Sequence, residues 1–331
     1  MIDYVTLRHH INIPANYFSP MKWKRSQTED EQFFRWHTFR RVKLRYYEDS
    51  QTFTISGKLL MFLYDTQVQN PDDIYGAKQE MFIEELNTAL NRLFPVAIMD
   101  IRDFTVSRID YCFNVETPHV TDYIDFMSRA FQMVNAGTRV DYSSKHQLSG
   151  SVYIRTASDY EDNSNKNYTL NFYDKADQVK DLISKGAYIS EGDRMLARDV
   201  LRLEVQCGYQ MIKRLTRKYG ICNTFGELLD FRIAYEAIRS TYQLTLHGTE
   251  NADFFTYAEA KKRLKGHGKA QDVLRVAASH RITDPKYAYG RNQAKKAGVY
   301  PYCFLPKNSS LAFLENPMRL LQDKLMKLKA V

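Results

Sequence analysis

Ser107-Arg108-Ile109-Asp110, Asn171-Phe172-Tyr173-Asp174-Lys175 and Arg202-Leu203-Glu204 are the stretches whose reading decides the fold. Each reads as a strand with one apolar and one polar face. Successive strand residues point to opposite sides, so Arg108 and Asp110 share a face, as do Tyr173 and Lys175, and Arg202 and Glu204. The other face carries Ile109, Tyr111 and Phe113, then Leu170 and Phe172, then Leu201, Leu203 and Val205. A sheet of this pattern is expected to pack against helices by one side only, leaving the other free for chemistry. Together the three strands place a tyrosine, a lysine and two carboxylates around one phosphate.

The residue types define what such a site does. A phenol is a weak nucleophile at neutral pH, with an ordinary pKa near ~10. A divalent cation held by two carboxylates relieves charge in an in-line phosphodiester displacement, and a lysine stabilises the developing charge. A tyrosine linked to phosphate conserves the energy of the broken bond for rejoining. Taken singly, each pair is more commonly a cross-strand ion pair or a surface phenol. The coincidence of three such strands carries the reading.

The ordered set of Met1-Ile2-Asp3, Ile55-Ser56-Gly57-Lys58 leading to Phe62-Leu63-Tyr64, Val106 to Asp110, Asn171 to Lys175 and Val200 to Val205 resembles the filamentous-phage and plasmid rolling-circle replication initiators. These are nicking-joining endonucleases. The resemblance covers about the first two thirds of the chain. It implies that Tyr173 is the nucleophile, that Lys175 is its partner, and that Asp110 and Glu204 are the acidic positions near a Mg²⁺ or Mn²⁺ ion. Ser56 departs from the Glu-Gly pair of many relatives and receives no role. The His-hydrophobe-His metal motif of other rolling-circle nucleases is absent, and the eight histidines are scattered without ligand spacing, so oxygen ligands are expected.

The chain has 331 residues, 44% of them hydrophobic, enough for a substantial core and two domains. No apolar run approaches the ~20 residues that span a bilayer, and no signal-peptide pattern opens the sequence. Cys112, Cys207, Cys222 and Cys303 show no Cys-x-x-Cys pairing, so neither a zinc site nor a disulfide framework is suggested. A reducing cytoplasm is the expected compartment, with no membrane association.

The net charge of +8 is concentrated. Residues 255 to 300 hold eleven basic and three acidic side chains, which equals the surplus of the whole chain. Such a segment reads as an electrostatic footprint for a polyanion. Lys261, Lys262, Arg263, Lys265, Lys269, Arg291, Lys295 and Lys296 are its candidate DNA-binding residues. Around Thr224-Phe225-Gly226-Glu227 and Thr256-Tyr257-Ala258-Glu259 the spacing is that of capping boxes, and from Thr224 onward the pattern reads as helical, compatible with a helix-turn-helix. Tyr300 to Phe304 is the exception, a candidate wing.

Nearer the N-terminus, Val42, Leu44 and Tyr46 alternate with Arg41, Lys43 and Arg45, and Glu48 to Ser50 turns the chain into a second strand from Thr52. The basic face of this hairpin suits a DNA backbone, with Phe33, Phe34, Trp36, Tyr46 and Tyr47 as base-stacking candidates, although most such aromatics belong in a core. Arg108 and Arg202 are further DNA-binding candidates. Helices are expected from Gly76 to Phe94, from Thr121, around Ala176 to Lys185 and Met195 to Asp199, and from Gly208 to Tyr219, the last stopped by Gly220.

The expected protein is therefore α+β. A largely antiparallel catalytic sheet with flanking helices occupies residues 1–223, and a small basic all-α domain occupies 224–331. It would bind double- and single-stranded origin DNA, nick one strand through Tyr173 and retain the 5′ phosphate. The freed 3′ hydroxyl would prime synthesis before the strand is rejoined. Host helicase and polymerase are the further partners such an activity calls for, and self-association is left open. A conjugative relaxase with the same chemistry is the rival reading among enzymes. A non-catalytic DNA-binding regulator is the rival of another class, but it has no need of Tyr173, Lys175, Asp110 and Glu204 together.

Overall fold

The structure is a computed structural model of the chain. It describes residues 2–18, 23–64, 77–95, 99–124, 138–141, 151–156, 168–246, 254–263, 265–266, 304–305, 311 and 313–329. The fold is α+β and divides into two compact units. The first is built on residues 1–112 and 206–237, and the second on 113–163, 168–205 and 238–331. The units interleave along the sequence.

In the first unit the sheet order is β2 (Lys24–Gln27), β3 (Phe33–Phe39), β4 (Val42–Tyr47), β5 (Thr52–Gly57), β1 (Ile2–His10) and β6 (Thr105–Glu116). Every neighbouring pair in this run is antiparallel. The expected alternation in β4 is present, with Val42, Leu44 and Tyr46 buried and Lys43 and Arg45 exposed. The buried face closes over an aromatic core in which Phe53 meets Phe94 at 4.6 Å and Phe104 at 6.3 Å, and Phe18 stacks on Tyr46 at 5.0 Å.

Helices α1 (Leu59–Tyr64) and α2 (Ala77–Leu93) belong to this unit, and Phe82, Ile83, Leu86 and Leu90 of α2 are buried. Gly57, at φ 154°, lets the backbone approach Val42, whose Cγ2 would lie 3.0 Å from an added Cβ. The strand before the Lys58 turn therefore has no room for a larger residue.

The second unit holds the remainder of β6 with β10 (Val200–Cys207), β9 (Tyr168–Asp174), β8 (Ser151–Thr156) and β7 (Thr138–Asp141), in the order β6-β10-β9-β8-β7. Helices α3 (Lys175–Ser184) and α4 (Glu191–Leu196) connect β9 to β10. Back in the first unit, α5 (Tyr209–Tyr219) ends at Gly220, whose φ of 65° is the left-handed conformation that terminates helices. α6 (Phe225–Leu228) and α7 (Phe231–Leu246) follow. Thr224 sits at the N-cap of α6 but its hydroxyl makes no capping bond, so the expected capping box is not formed there.

The all-helical expectation beyond Thr224 is overturned. β11 (Phe254–Thr256) pairs in parallel with β12 (Phe304–Leu305) and antiparallel with β13 (Phe313–Leu314), forming a separate three-stranded sheet. Strands of two or three residues are too short to show an alternating pattern. α8 (Tyr257–Arg263) and α9 (Pro317–Lys329) flank this sheet in sequence. The other helices expected between residues 270 and 297, and with them any helix-turn-helix, lie outside the described residues. No described helix is long and apolar enough to cross a membrane.

Candidate active site

The expected site residues fall in both units, and each group is described within its own. In the second unit, β9 is buried on both faces from Tyr168 to Tyr173, and β10 is buried from Val200 to Val205. The expectation of a free, chemically loaded face is therefore wrong for these two strands. Asn171 and Tyr173 do share a face, as the period of two requires. On it the Tyr173 hydroxyl donates to Glu204 Oε2 at 3.2 Å, and Asn171 Nδ2 donates to Glu204 Oε1 at 3.2 Å. Both carboxylate oxygens thus meet a donor from β9. Tyr173 is 3% exposed and Glu204 6%.

Asn171 carries no role in the motif reading, yet its place two residues before Tyr173 puts it on the same face. Its Oδ1 is buried and has no hydrogen-bond partner among the described residues. A buried carbonyl oxygen without a donor costs about 1–3 kcal/mol, and one beside a carboxylate is chemically suited to a hard cation.

Lys175 is not a strand residue. β9 ends at Asp174, whose carboxylate caps α3 by accepting from Ala176 N at 2.8 Å, and Lys175 is the first helical residue. Burial holds the Asp174 carboxyl above its ordinary range. Lys175 is 2% exposed, and its ammonium donates to Gln178 Oε1 within the first turn. Lys175 therefore follows Tyr173 through a helix start rather than along a strand.

Arg202 shares its strand face with Glu204, but it is 1% exposed and donates from Nε to Asn114 Oδ1 at 2.9 Å. A guanidinium enclosed to this degree does not reach a DNA backbone, so Arg202 is withdrawn as a DNA-binding residue.

In the first unit, Asp110 is 1% exposed and receives Arg108 through both oxygens, from Nε at 2.8 Å and Nη2 at 2.6 Å. This bidentate geometry is the strong form of a carboxylate pair. Arg108 also lies over the Tyr4 ring, 4.7 Å from its centroid. The fully buried Cys207 thiol is pushed up by burial first and by the negative charge of Asp110 second. Asp3 pairs with Lys58 at 2.8 Å. Among the described residues no group of three or more His, Cys, Asp or Glu side chains gathers to hold a metal. Glu204 and Asn171 bring hard oxygen atoms into one unit, although both Glu204 oxygens already accept hydrogen bonds, and Asp110 is engaged by a guanidinium.

The basic candidates separate by position. Lys43 and Arg45 project from β4 and are exposed, and Arg41, with φ 65°, lies in the tight turn before it. Lys261, Lys262, Arg263 and Lys265 are exposed on and just after α8. Lys269, Arg291, Lys295 and Lys296 lie outside the described residues.

No family model and no curated protein matches this sequence. Among solved structures, the chain is similar to the rolling circle replication initiator protein from Geobacillus stearothermophilus over 66% of its own length and 77% of that chain. The identity is 9% and the TM-score 0.32, too remote a likeness to bear on chemistry.

Proposed function

We propose that this chain is a rolling-circle replication initiator that nicks and rejoins DNA through Tyr173. The observation that carries the reading is the hydrogen bond from the Tyr173 phenol to Glu204, in the motif order that resembles the nicking-joining initiators. Glu204 takes the phenolic proton as the phenolic oxygen attacks phosphorus. The bond between phosphorus and the 3′ oxygen breaks, the 5′ side remains esterified to Tyr173, and the departing 3′ oxygen takes a proton from solvent to become a free hydroxyl, while the proton held by Glu204 returns to solvent. Rejoining is the reverse. Lys175 supplies positive charge close in sequence to the nucleophile, and Asn171 orients Glu204.

A divalent cation would be held by Glu204 and Asn171 Oδ1, and when bound it supplies charge relief on the phosphate oxygens. Asp110 keeps its expected acidic role on the strength of the resemblance alone. Because the phenol is buried, attack requires the bound strand to displace the cover over Tyr173.

That same burial favours a second reading, in which Tyr173, Asn171 and Glu204 form a satisfied polar network of a DNA-binding regulator. Two variants separate these readings. With Tyr173→Phe, nicking of a supercoiled plasmid carrying the origin is expected to disappear while origin binding persists. Glu204→Gln is expected to bind equally well and nick far more slowly. If the wild-type protein binds the origin and leaves it unnicked in the presence of Mg²⁺ or Mn²⁺, the regulator reading stands instead.

A further inference from the structure

The strand registers of the first unit define a second, open face of its sheet. Directly paired residues of antiparallel strands share a side. Trp36 pairs with Lys24 on β2 and with Arg45 on β4, and Phe34 pairs with Tyr47. Arg45 pairs with Thr54, and Thr54 with Arg8 of β1. All of these lie opposite the aromatic core. The register thereby sorts the aromatic residues of this hairpin region. Tyr46 points inward, 4% exposed, with its hydroxyl bonded to the Ile13 amide, and Phe33 lies on the other side beneath Arg25. Phe34, Trp36 and Tyr47 remain half-exposed on the open face.

Cations and rings alternate there. The Lys24 ammonium sits 5.1 Å from the Trp36 ring centroid, the Arg45 guanidinium 5.7 Å from that of Phe34, and Phe34 meets Tyr47 at 5.6 Å. The indole of Trp36 is fixed from its edge, with Nε1 donating to Ser26 Oγ at 3.0 Å. Arg8, Lys24, Lys43 and Arg45 are all exposed, and none of them pairs with a carboxylate among the described residues. β2 to β5 carry no acidic residue, and the one in β1, Asp3, sits at a register irregularity and is paired with Lys58, while the other positions of this face are largely Thr and Ser. At its far edge Tyr4 pairs with Asp110 and Thr6 with Arg108, so the face runs to the Arg108–Asp110 pair. Six strands at ~4.8 Å spacing make it about 24 Å across.

We infer that this face is a binding platform for single-stranded DNA. Four cations that meet no carboxylate among the described residues, on a face whose carboxylate at the far edge, Asp110, is already held by Arg108, fit a phosphate backbone. The rings fit only unpaired bases, because a base in a duplex has no free π-face to offer. A duplex would meet the cations and leave Trp36, Phe34 and Tyr47 idle. The choice of DNA rests on the proposed nicking function. The platform itself does not depend on Tyr173.

The test uses the full-length Tyr173→Phe protein and a 15-nucleotide oligo(dT) without a nick site. The chain has two tryptophans, and Trp23 is buried in the core at 8% exposure. A Trp23→Phe change therefore leaves Trp36 as the sole reporter. Saturable quenching of Trp36 fluorescence is expected. Trp36→Ala should weaken binding about 10-fold, in line with the loss of one stacked base. Lys43→Glu with Arg45→Glu, followed by fluorescence anisotropy in the otherwise unchanged chain, should weaken it by at least as much and flatten the salt slope by about 1.4.

Absence of quenching together with unchanged affinity in these variants overturns the platform. So does equal quenching by a blunt duplex of the same length, which would make the face a duplex phosphate strip, or tighter binding of the matching oligoribonucleotide. Oligo(dT) binding at Trp36 by a wild-type protein that nicks no substrate would sink the nickase and leave the platform standing. Nicking with unchanged KM in the Lys43 and Arg45 variants would sink the platform alone.

Discussion

Tyr173 and Glu204 are separated by one hydrogen bond, yet in water a phenol and a carboxylic acid differ by about six pKa units, or about 8 kcal/mol. Complete proton transfer before attack is therefore unfavourable. On the proposed reading the carboxylate accepts the proton while the bond to phosphorus forms. Losing a positioned acid–base group costs typically about 10²–10⁴-fold. Glu204→Gln preserves shape and keeps an acceptor for the Asn171 amide, so single-turnover nicking should fall by that factor with oligonucleotide affinity unchanged. A rate within about threefold of wild type would assign Glu204 to packing. Asn171→Ala removes both the orienting amide and the orphaned oxygen. It is expected to raise the Mg²⁺ concentration needed for half-maximal nicking, read from a metal titration, whereas an unchanged requirement would leave Asn171 no part in holding a cation.

Strand periodicity was legible at the level of faces. Val42, Leu44 and Tyr46 are inward as their alternation indicates, and Asn171 and Tyr173 share a side. Whether a face is covered was not legible, because cover is supplied by other parts of the chain and leaves no trace in the strand itself. A row of Asn171, Tyr173, Arg202 and Glu204 reads as a solvated surface until partners such as Asn114 are seen to satisfy it. The misreading of Lys175 had a local signal. Asp174 followed by Asp177 is the pattern of a helix start, an N-cap acceptor with an acidic residue in the first turn.

The edge strands offer a test at the same level. Glu48 receives Arg25 Nη2 at 2.9 Å and Arg35 Nε at 2.8 Å, tying the turn after β4 to β2 and β3. The Arg25 hydrogen bond is the largest influence holding its carboxyl below the ordinary carboxylate range, with the charges of Arg25 and Arg35 adding to it. A folded-state value below the unfolded one stabilises above the ordinary carboxylate pKa, and this stabilisation is lost as pH falls through the lowered value. Glu48→Gln should cost about 0.5–1 kcal/mol in urea unfolding at pH 7, given the partial exposure of the arginines. The difference from wild type should shrink toward pH 3. A difference independent of pH would mean that the pair contributes shape rather than charge.

On the scale of the whole molecule, the charge surplus between residues 255 and 300 points to a duplex anchor, and the structure decides how that anchor is best tested. Deleting everything after residue 250 would strip Leu314, Met318 and Leu321 from the second unit's core, together with Asn316, which bonds Tyr242 and the Met318 amide. Loss of binding in such a truncation would confound charge with unfolding. Reversing Lys261, Lys262, Arg263 and Lys265 to Glu changes only exposed side chains. If each meets a duplex phosphate, the salt slope of origin binding should flatten by about three to four, and cleavage of a single-stranded oligonucleotide carrying the nick site should survive. An unchanged slope would place the duplex footprint elsewhere, with the Arg41, Lys43 and Arg45 hairpin as the nearest alternative.

The measurement that bears most directly on the nicking reading is the identity of the residue joined to DNA. A suicide oligonucleotide carrying the nick site, incubated with the wild-type protein and Mn²⁺, should trap the covalent intermediate. After proteolysis, mass spectrometry should find the 5′-phosphate adduct on the peptide containing Tyr173, and the Tyr173→Phe protein should form none. An adduct on another tyrosine such as Tyr168, or a trapped complex that persists in Tyr173→Phe, would contradict the assignment of the nucleophile.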